Sequence, residues 1–189
     1  MRVFSDLGDE FNLLNVPGLG GSGDLHWQTF WENSTPAIIR VEQDDWDNPR
    51  RESWVNQLER VVAACDEKPI ILIGHSLGCG TIIHAVAEGK LKRVAGALLV
   101  ALPDIERPDF PKECIGFAPV PRIALPFPTC MVLSENDPYA SAAKQTEWAG
   151  ILRAEPINIG EQGHVGSEAE LENWPEGQGI LMDFLDRNF

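Results

Sequence analysis

Six short apolar runs alternating with helical patterns predict an α/β chain, folded as a doubly wound, mainly parallel six-stranded sheet flanked by helices. Three observations carry that expectation. The runs, at residues 11–16, 37–41, 70–73, 94–101, 129–133 and 155–159, are short and rich in β-branched residues, as strands covered on both faces are. Helical segments fall between and after them, near 27–31, 50–64, 78–88, 141–150 and 175–187, so consecutive strands join by right-handed crossovers. The length of 189 residues, 43% of them hydrophobic, suits one domain, 1–189, with a substantial core.

Each element has its own warrant. The first run leads into a glycine-rich loop, Pro17-Gly18-Leu19-Gly20-Gly21-Ser22-Gly23, and then His26 and Trp27 open a helix. In the segment 50–64 and just beyond, Trp54, Leu58, Val61, Val62 and Cys65 recur at helical spacing and form one core-facing stripe. The third run ends in a sharp turn and is followed by an apolar helix. Residues 103–128 break the rhythm, because seven of the chain's 14 prolines lie there. That stretch is expected as an ordered loop across the carboxyl edge of the sheet. There is no internal repeat, low-complexity tract or linker.

Composition narrows the function classes. Twenty-nine acidic against 15 basic residues give a net charge of −14, which argues against nucleic-acid and anionic-membrane partners. The N-terminal residues lack a long apolar segment, and no run approaches the roughly 18 apolar residues of a membrane span. A cytoplasmic protein is expected. Cys65, Cys79, Cys114 and Cys130 form no C-x-x-C pair and no metal spacing with the four histidines, so reduced thiols are expected, with Cys79 a small apolar filler. No metal or organic cofactor is implied.

The chemistry is concentrated in Gly74-His75-Ser76-Leu77-Gly78, a G-x-S-x-G sequence between an apolar strand and an apolar helix. This is the setting of the α/β-hydrolase nucleophile elbow. A serine strained at a strand tip needs small residues on both sides, where strand and helix crowd together. Its hydroxyl projects above the sheet, and the Leu77 N–H at the helix start points where an oxyanion forms.

A serine hydroxyl needs a base, and the base a carboxylate to orient it. Only His84 and His164 follow Ser76 in the chain. His84 is too far along its helix to turn back, whereas His164 lies in the glycine-rich loop after the last strand. For the acid, Asp137 follows the fifth strand and Asp104 the fourth. Asp137 is preferred because its strand should neighbour the one delivering His164; Glu135, still at the strand end, is the weaker neighbour. In the first loop, no G-K-[ST] follows the glycines, and Leu19 N–H is read as the second oxyanion donor. His26 and Trp27 either face the pocket or serve as a capping histidine and a packing tryptophan. Phe117 and Pro119, in the proline-rich stretch, are candidates to wall the cleft.

With these residues placed, the chain resembles the small serine hydrolases related to retinoblastoma-binding protein 9, and more closely their bacterial branch. The resemblance runs nearly end to end. It includes Val16-Pro17-Gly18, Gly21-Ser22-Gly23, His26-Trp27, Gln43-Asp44-Asp45-Trp46, the elbow with Cys79, and Gly116-Phe117-Ala118-Pro119-Val120-Pro121. It continues through Leu125-Pro126-Phe127-Pro128, Asn136-Asp137-Pro138-Tyr139, Gly163-His164 and Trp174-Pro175-Glu176-Gly177. It implies a lidless α/β-hydrolase with a Ser–Asp–His triad of Ser76, Asp137 and His164. The Leu-x-Cys-x-Glu sequence for retinoblastoma-protein binding is absent: the chain has Ala63-Ala64-Cys65-Asp66-Glu67, so a retinoblastoma-type partner is not supported.

The expected activity is cleavage of small carboxylic esters through an acyl-enzyme on Ser76. Amide or thioester cleavage by the same triad is the alternative within enzymes. A protein-interaction module on a hydrolase scaffold is the alternative outside them.

Overall fold

A computed structural model describes residues 2–189 and contains all six expected strands. They are β1 (Asn12–Val16), β2 (Ile38–Arg40), β3 (Ile70–His75), β4 (Val94–Val100), β5 (Thr129–Leu133) and β6 (Glu155–Asn158). The sheet order is β2-β1-β3-β4-β5-β6, and every neighbouring pair is parallel. After β2 the winding reverses, and the chain returns to lay β3 on the other side of β1. Their carboxyl ends therefore feed loops in opposite directions, which opens a crevice between the β1 and β3 loops.

The helices are α1 (Leu7–Glu10), α2 (Trp27–Ser34), α3 (Arg51–Ala64), α4 (Leu77–Ala87), α5 (Ala142–Leu152) and α6 (Pro175–Asn188). Strand alternation divides them between two layers. Leu14, Val16, Ile70, Leu72, Ala97, Leu99 and Met131 face one way, toward Trp54 and Leu58 of α3, Ile82 and Ile83 of α4, and Trp148 of α5. Leu13, Ile71, Ile73, Leu98, Val100, Cys130 and Val132 face the other, toward Trp27 and Trp31 of α2 and Leu181 and Phe184 of α6.

The differences from the sequence reading are local. The helix opening at Trp27 continues to Ser34, because Asn33 and Ser34 are exposed and Glu32 is a polar residue turned to Asn15 and Arg40, so none of them carries an apolar period. The one-turn α1 and the 3₁₀ turns Phe4–Asp6 and Ser167–Ala169 are too short to show a period at all. On α3, Val55 joins the buried stripe, while Val61 and Cys65 are only half-buried at its margin. Residues 103–128 hold no helix and no strand of the sheet. Among the described residues no helix is long and apolar enough to cross a membrane.

Gly78, in the first turn of α4, lies against the Val16 and Pro17 carbonyls at the carboxyl end of β1, and a methyl group there would overlap the Val16 oxygen. Backbone cannot yield as a flexible side chain does. Gly78→Ala is therefore expected to destabilise the fold by about 3 kcal/mol or more. A urea denaturation curve of purified protein measures it.

Candidate active site

Ser76 stands between β3 and α4 with φ 53° and ψ −125°, a strained conformation for a residue with a side chain. The strain is held from both sides. Ser76 N–H bonds the Val100 carbonyl of β4 at 3.0 Å, and its own carbonyl accepts from Cys79 N–H at 2.9 Å. Gly74 packs under the tip of Ile82 and the Cys79 backbone, so a Cβ there would have to push Ile82 aside, while Gly78 has no room for one at all.

His164 arrives on the loop after β6. His164 Nε2 lies 2.7 Å from Ser76 Oγ, and its Nδ1 lies 2.9 and 3.0 Å from the two carboxylate oxygens of Asp137. An ionised carboxylate accepts only, so Nδ1 carries the proton and Nε2 is free to accept from the serine. The Asp137 side chain is fully buried, and it also accepts the Tyr139 N–H at 2.8 Å and Gln145 Nε2 at 3.4 Å. The loop is pinned to the end of β5. Asn136 Oδ1 accepts Gly163 N–H at 2.7 Å, and Ser134 Oγ accepts Gln162 N–H at 2.9 Å.

The loop after β1 closes the third side. A Cβ on Gly18 would come within 2.8 Å of Ser76 Cβ and 3.1 Å of Leu77 N, so only glycine lets the loop rest on the elbow. Arg40 holds the loop from behind by donating to the Gly21 and Ser22 carbonyls. Leu19 and Leu77 line one small pocket beside Ser76, together with Pro103, Phe110, Pro111 and Tyr139. Glycines 18, 20 and 23 also have the G-x-G-x-x-G spacing of a dinucleotide turn. Here, however, α2 begins four residues after the last of them, and His26 caps its N-terminus by accepting Gln28 N–H on Nδ1 at 3.1 Å.

The remaining candidates separate clearly. His26 lines a larger cavity beside His164. Trp27 is buried, donates Nε1–H to the Val165 carbonyl at 2.8 Å, and is a packing residue that holds the His164 loop. Phe117 and Pro119 do not wall the cleft. Phe117 is drawn into the core against Trp54 and His84, and Pro119 is turned to solvent; Pro103, Phe110 and Pro111, earlier in the same stretch, take that place. His84 is structural, its Nε2 2.8 Å from the Phe117 carbonyl. Asp104 makes its backbone bond to the Tyr139 carbonyl and does not reach His164, while Glu135 is exposed and accepts from Asn158. Cys79 is buried beside the elbow, where burial pushes its thiol up to about 12 and makes it inert.

Sequence reasoning passed over three participants. His75, inside the motif, is buried with its Nε2 2.9 Å from the His164 carbonyl. Tyr139 sets its ring edge-on to His164, with centroids 4.6 Å apart. Gln145 reaches Asp137 from α5. The polar residues at 134, 136 and 139, crowded onto one strand end, were the available signal. Among the described residues no three His, Cys, Asp or Glu side chains converge as metal ligands.

A parallel sheet with a strained serine on its third strand, hydrogen-bonded to a histidine on the loop after the last strand, defines an α/β-hydrolase. The sequence profile of the serine hydrolase family matches residues 13–183, and the chain belongs to that family. A YdeN-like hydrolase from Pectobacterium atrosepticum is similar over 99% of this chain and 100% of its own, at 31% identity and a TM-score of 0.86. The ydeN gene product of B. subtilis is similar at 16% identity and a TM-score of 0.66, over 92% of this chain and 98% of its own. The type II thioesterase BorB of the borrelidin biosynthetic cluster is similar at 17% identity and a TM-score of 0.65, over 93% of each chain. No curated protein matches the chain.

The buried histidines make stability depend on pH. Burial, then the Arg40 charge, lowers His26 from 6.5 to about 3, and burial also holds His75 well below 6.5. Both are neutral when folded and take up a proton when unfolded, so stability is complete above pH 6.5 and falls as pH drops below it. Each such imidazole contributes a slope of about 1.4 kcal/mol per pH unit in that window. Urea denaturation at pH 7.5 and 5.5 is expected to show the loss, and His26→Asn to show a shallower slope.

Proposed function

We propose that the chain cleaves small carboxylic esters through an acyl-enzyme on Ser76, with His164 as general base and acid and Asp137 orienting it. The observation that carries this reading is the continuous hydrogen-bond path from Asp137 through His164 to Ser76. His164 Nε2 takes the serine proton as Oγ bonds to the substrate carbonyl carbon. The carbonyl oxygen becomes an oxyanion facing the N–H groups of Leu77 and Leu19. Its collapse breaks the bond to the leaving alcohol, which departs with the proton held by His164. Water, deprotonated by the same nitrogen, then releases the acid and restores Ser76. Asp137 stays ionised throughout and stabilises the imidazolium.

Ser76→Ala is expected to lower turnover of p-nitrophenyl acetate by about 10⁴-fold or more and to abolish fluorophosphonate labelling. Near wild-type rates in that variant would remove Ser76 from the chemistry. Asp137→Asn is expected to cost about 10³–10⁴-fold, by presenting the wrong partner to Nδ1, against less than about tenfold for Asp104→Asn.

Chain-length preference follows from the pocket beside Ser76, which encloses only about 150 Å³. Each methylene contributes about 0.8 kcal/mol only where it leaves water. In a series of p-nitrophenyl esters from acetate to palmitate, kcat/KM is expected to peak within roughly C2–C6 and then flatten or fall. An optimum at C12 or longer, or a jump above the critical micelle concentration, would contradict this.

A further inference from the structure

His75 and Ser76 are neighbours in the chain, and both bond to His164. Ser76 Oγ lies 2.7 Å from the imidazole Nε2, and His75 Nε2 lies 2.9 Å from the main-chain carbonyl of the same residue, 89 positions away. Strand alternation brings this about. His75 is the last residue of β3 and shares a face with Ile71 and Ile73, toward α2 and α6, where the His164 loop passes. Ser76 then leaves the strand with its strained backbone and carries Oγ to the His164 ring. Ester cleavage through Ser76 uses the imidazole contact and gives the carbonyl contact no part.

Two further observations mark His75 as a fixed donor. A carbonyl only accepts, so the His75 proton sits on Nε2, and burial keeps the ring neutral by holding it well below 6.5. The ring is also clamped. His26 meets it edge-on with centroids 4.5 Å apart, Trp27 does so at 6.1 Å, and His26 is itself held by accepting Gln28 N–H. Among the described residues the His164 carbonyl accepts no other hydrogen bond. The next carbonyl, at Val165, is held separately by Trp27 Nε1–H at 2.8 Å. Loss of the His75 donor would leave the loop anchored there and release the one residue that carries the imidazole.

We propose that His75 is a positioning residue: its Nε2–H fixes the main chain of His164 against the Ser76 turn, so that one dipeptide sets both hydroxyl and imidazole at reacting distance. The assignment rests on Ser76 and His164 reacting as in the esterase reading. No proton leaves His75 during the reaction. What it supplies is alignment, and misplacing a reacting group by about 1 Å costs about 10²-fold in rate.

Methionine and glutamine have nearly the same length and volume, but only glutamine offers an N–H near the position of Nε2. His75→Met is expected to lower kcat/KM for p-nitrophenyl acetate, and the second-order rate of fluorophosphonate labelling at Ser76, by about 10²-fold each. His75→Gln is expected to recover most of that loss, to within about fivefold of wild type. Urea denaturation identifies conditions in which each variant is fully folded, and both rates are measured there. A filler role predicts the opposite order, because an apolar side chain suits a buried site better than an amide.

Glutamine no faster than methionine, or methionine within about threefold of wild type, would overturn the proposal. If His75→Met does not fold, His75→Asn, whose amide stops one methylene short of the carbonyl, takes its place with the same expected loss. Wild-type protein that is labelled but hydrolyses no ester would end the esterase reading, while the labelling rates would still decide the role of His75. Wild-type protein that is not labelled would overturn both.

Discussion

The close approach of α4 to the carboxyl end of β1 is the constraint on which the site depends. Gly78 lets the helix lie against the Val16 carbonyl, and Gly18 lets the next loop lie against Ser76. Without both contacts, the serine would have no reason to hold a left-handed backbone, and Leu19 and Leu77 would not share a wall. Strain at one residue is thus maintained by close packing at two others, which is how folded proteins usually keep a reactive group aimed. The Val100 carbonyl adds a third fixed point, tying the elbow to β4.

His164 is held differently. It sits on a loop with glycines at 160, 163 and 166, whose one buried side chain is Val165. Its order is borrowed from neighbours: Asn136 and Ser134 from the β5 end, Trp27 from α2, and His75 from the elbow itself. Two of these four are neutral buried imidazole or indole groups bonded to backbone carbonyls at 164 and 165. A charged partner in their place would compete with Asp137 for control of the proton on His164.

The sheet and its helices were largely legible because parallel strands covered on both faces read as short apolar runs, and the helices between them carry a clear period. Ser76, Asp137 and His164 could be selected as candidates because chain order and glycine-flanked turns are local features. What escaped had no local signature. Phe117 and Pro119 lie two residues apart, yet one enters the core and the other solvent, since an irregular proline-rich chain has no fixed period from which to infer facing. His75 was hidden inside the motif at a position that tolerates many residues, and its partner is 89 positions away. The unpartnered Nε2 of His26 becomes visible only when its neighbours in space are known.

The tryptophans of α2 carry a consequence for the order in which the molecule becomes competent. Trp27 bonds the Val165 carbonyl across 138 positions, and Trp31 bonds the Asn173 carbonyl across 142. Contacts of such separation are slow to form, because the loops they close are long. The Ser76 turn rests on contacts with the ends of β1 and β4, whereas the His164 loop cannot settle until an early helix and a late loop have met. During synthesis, then, the partners that surround Ser76 would all be available before those that hold His164. A nascent or clipped chain lacking the last quarter of this sequence would lack α5, β6, the His164 loop and α6, and with α6 part of the layer that packs beside Trp27 and Trp31.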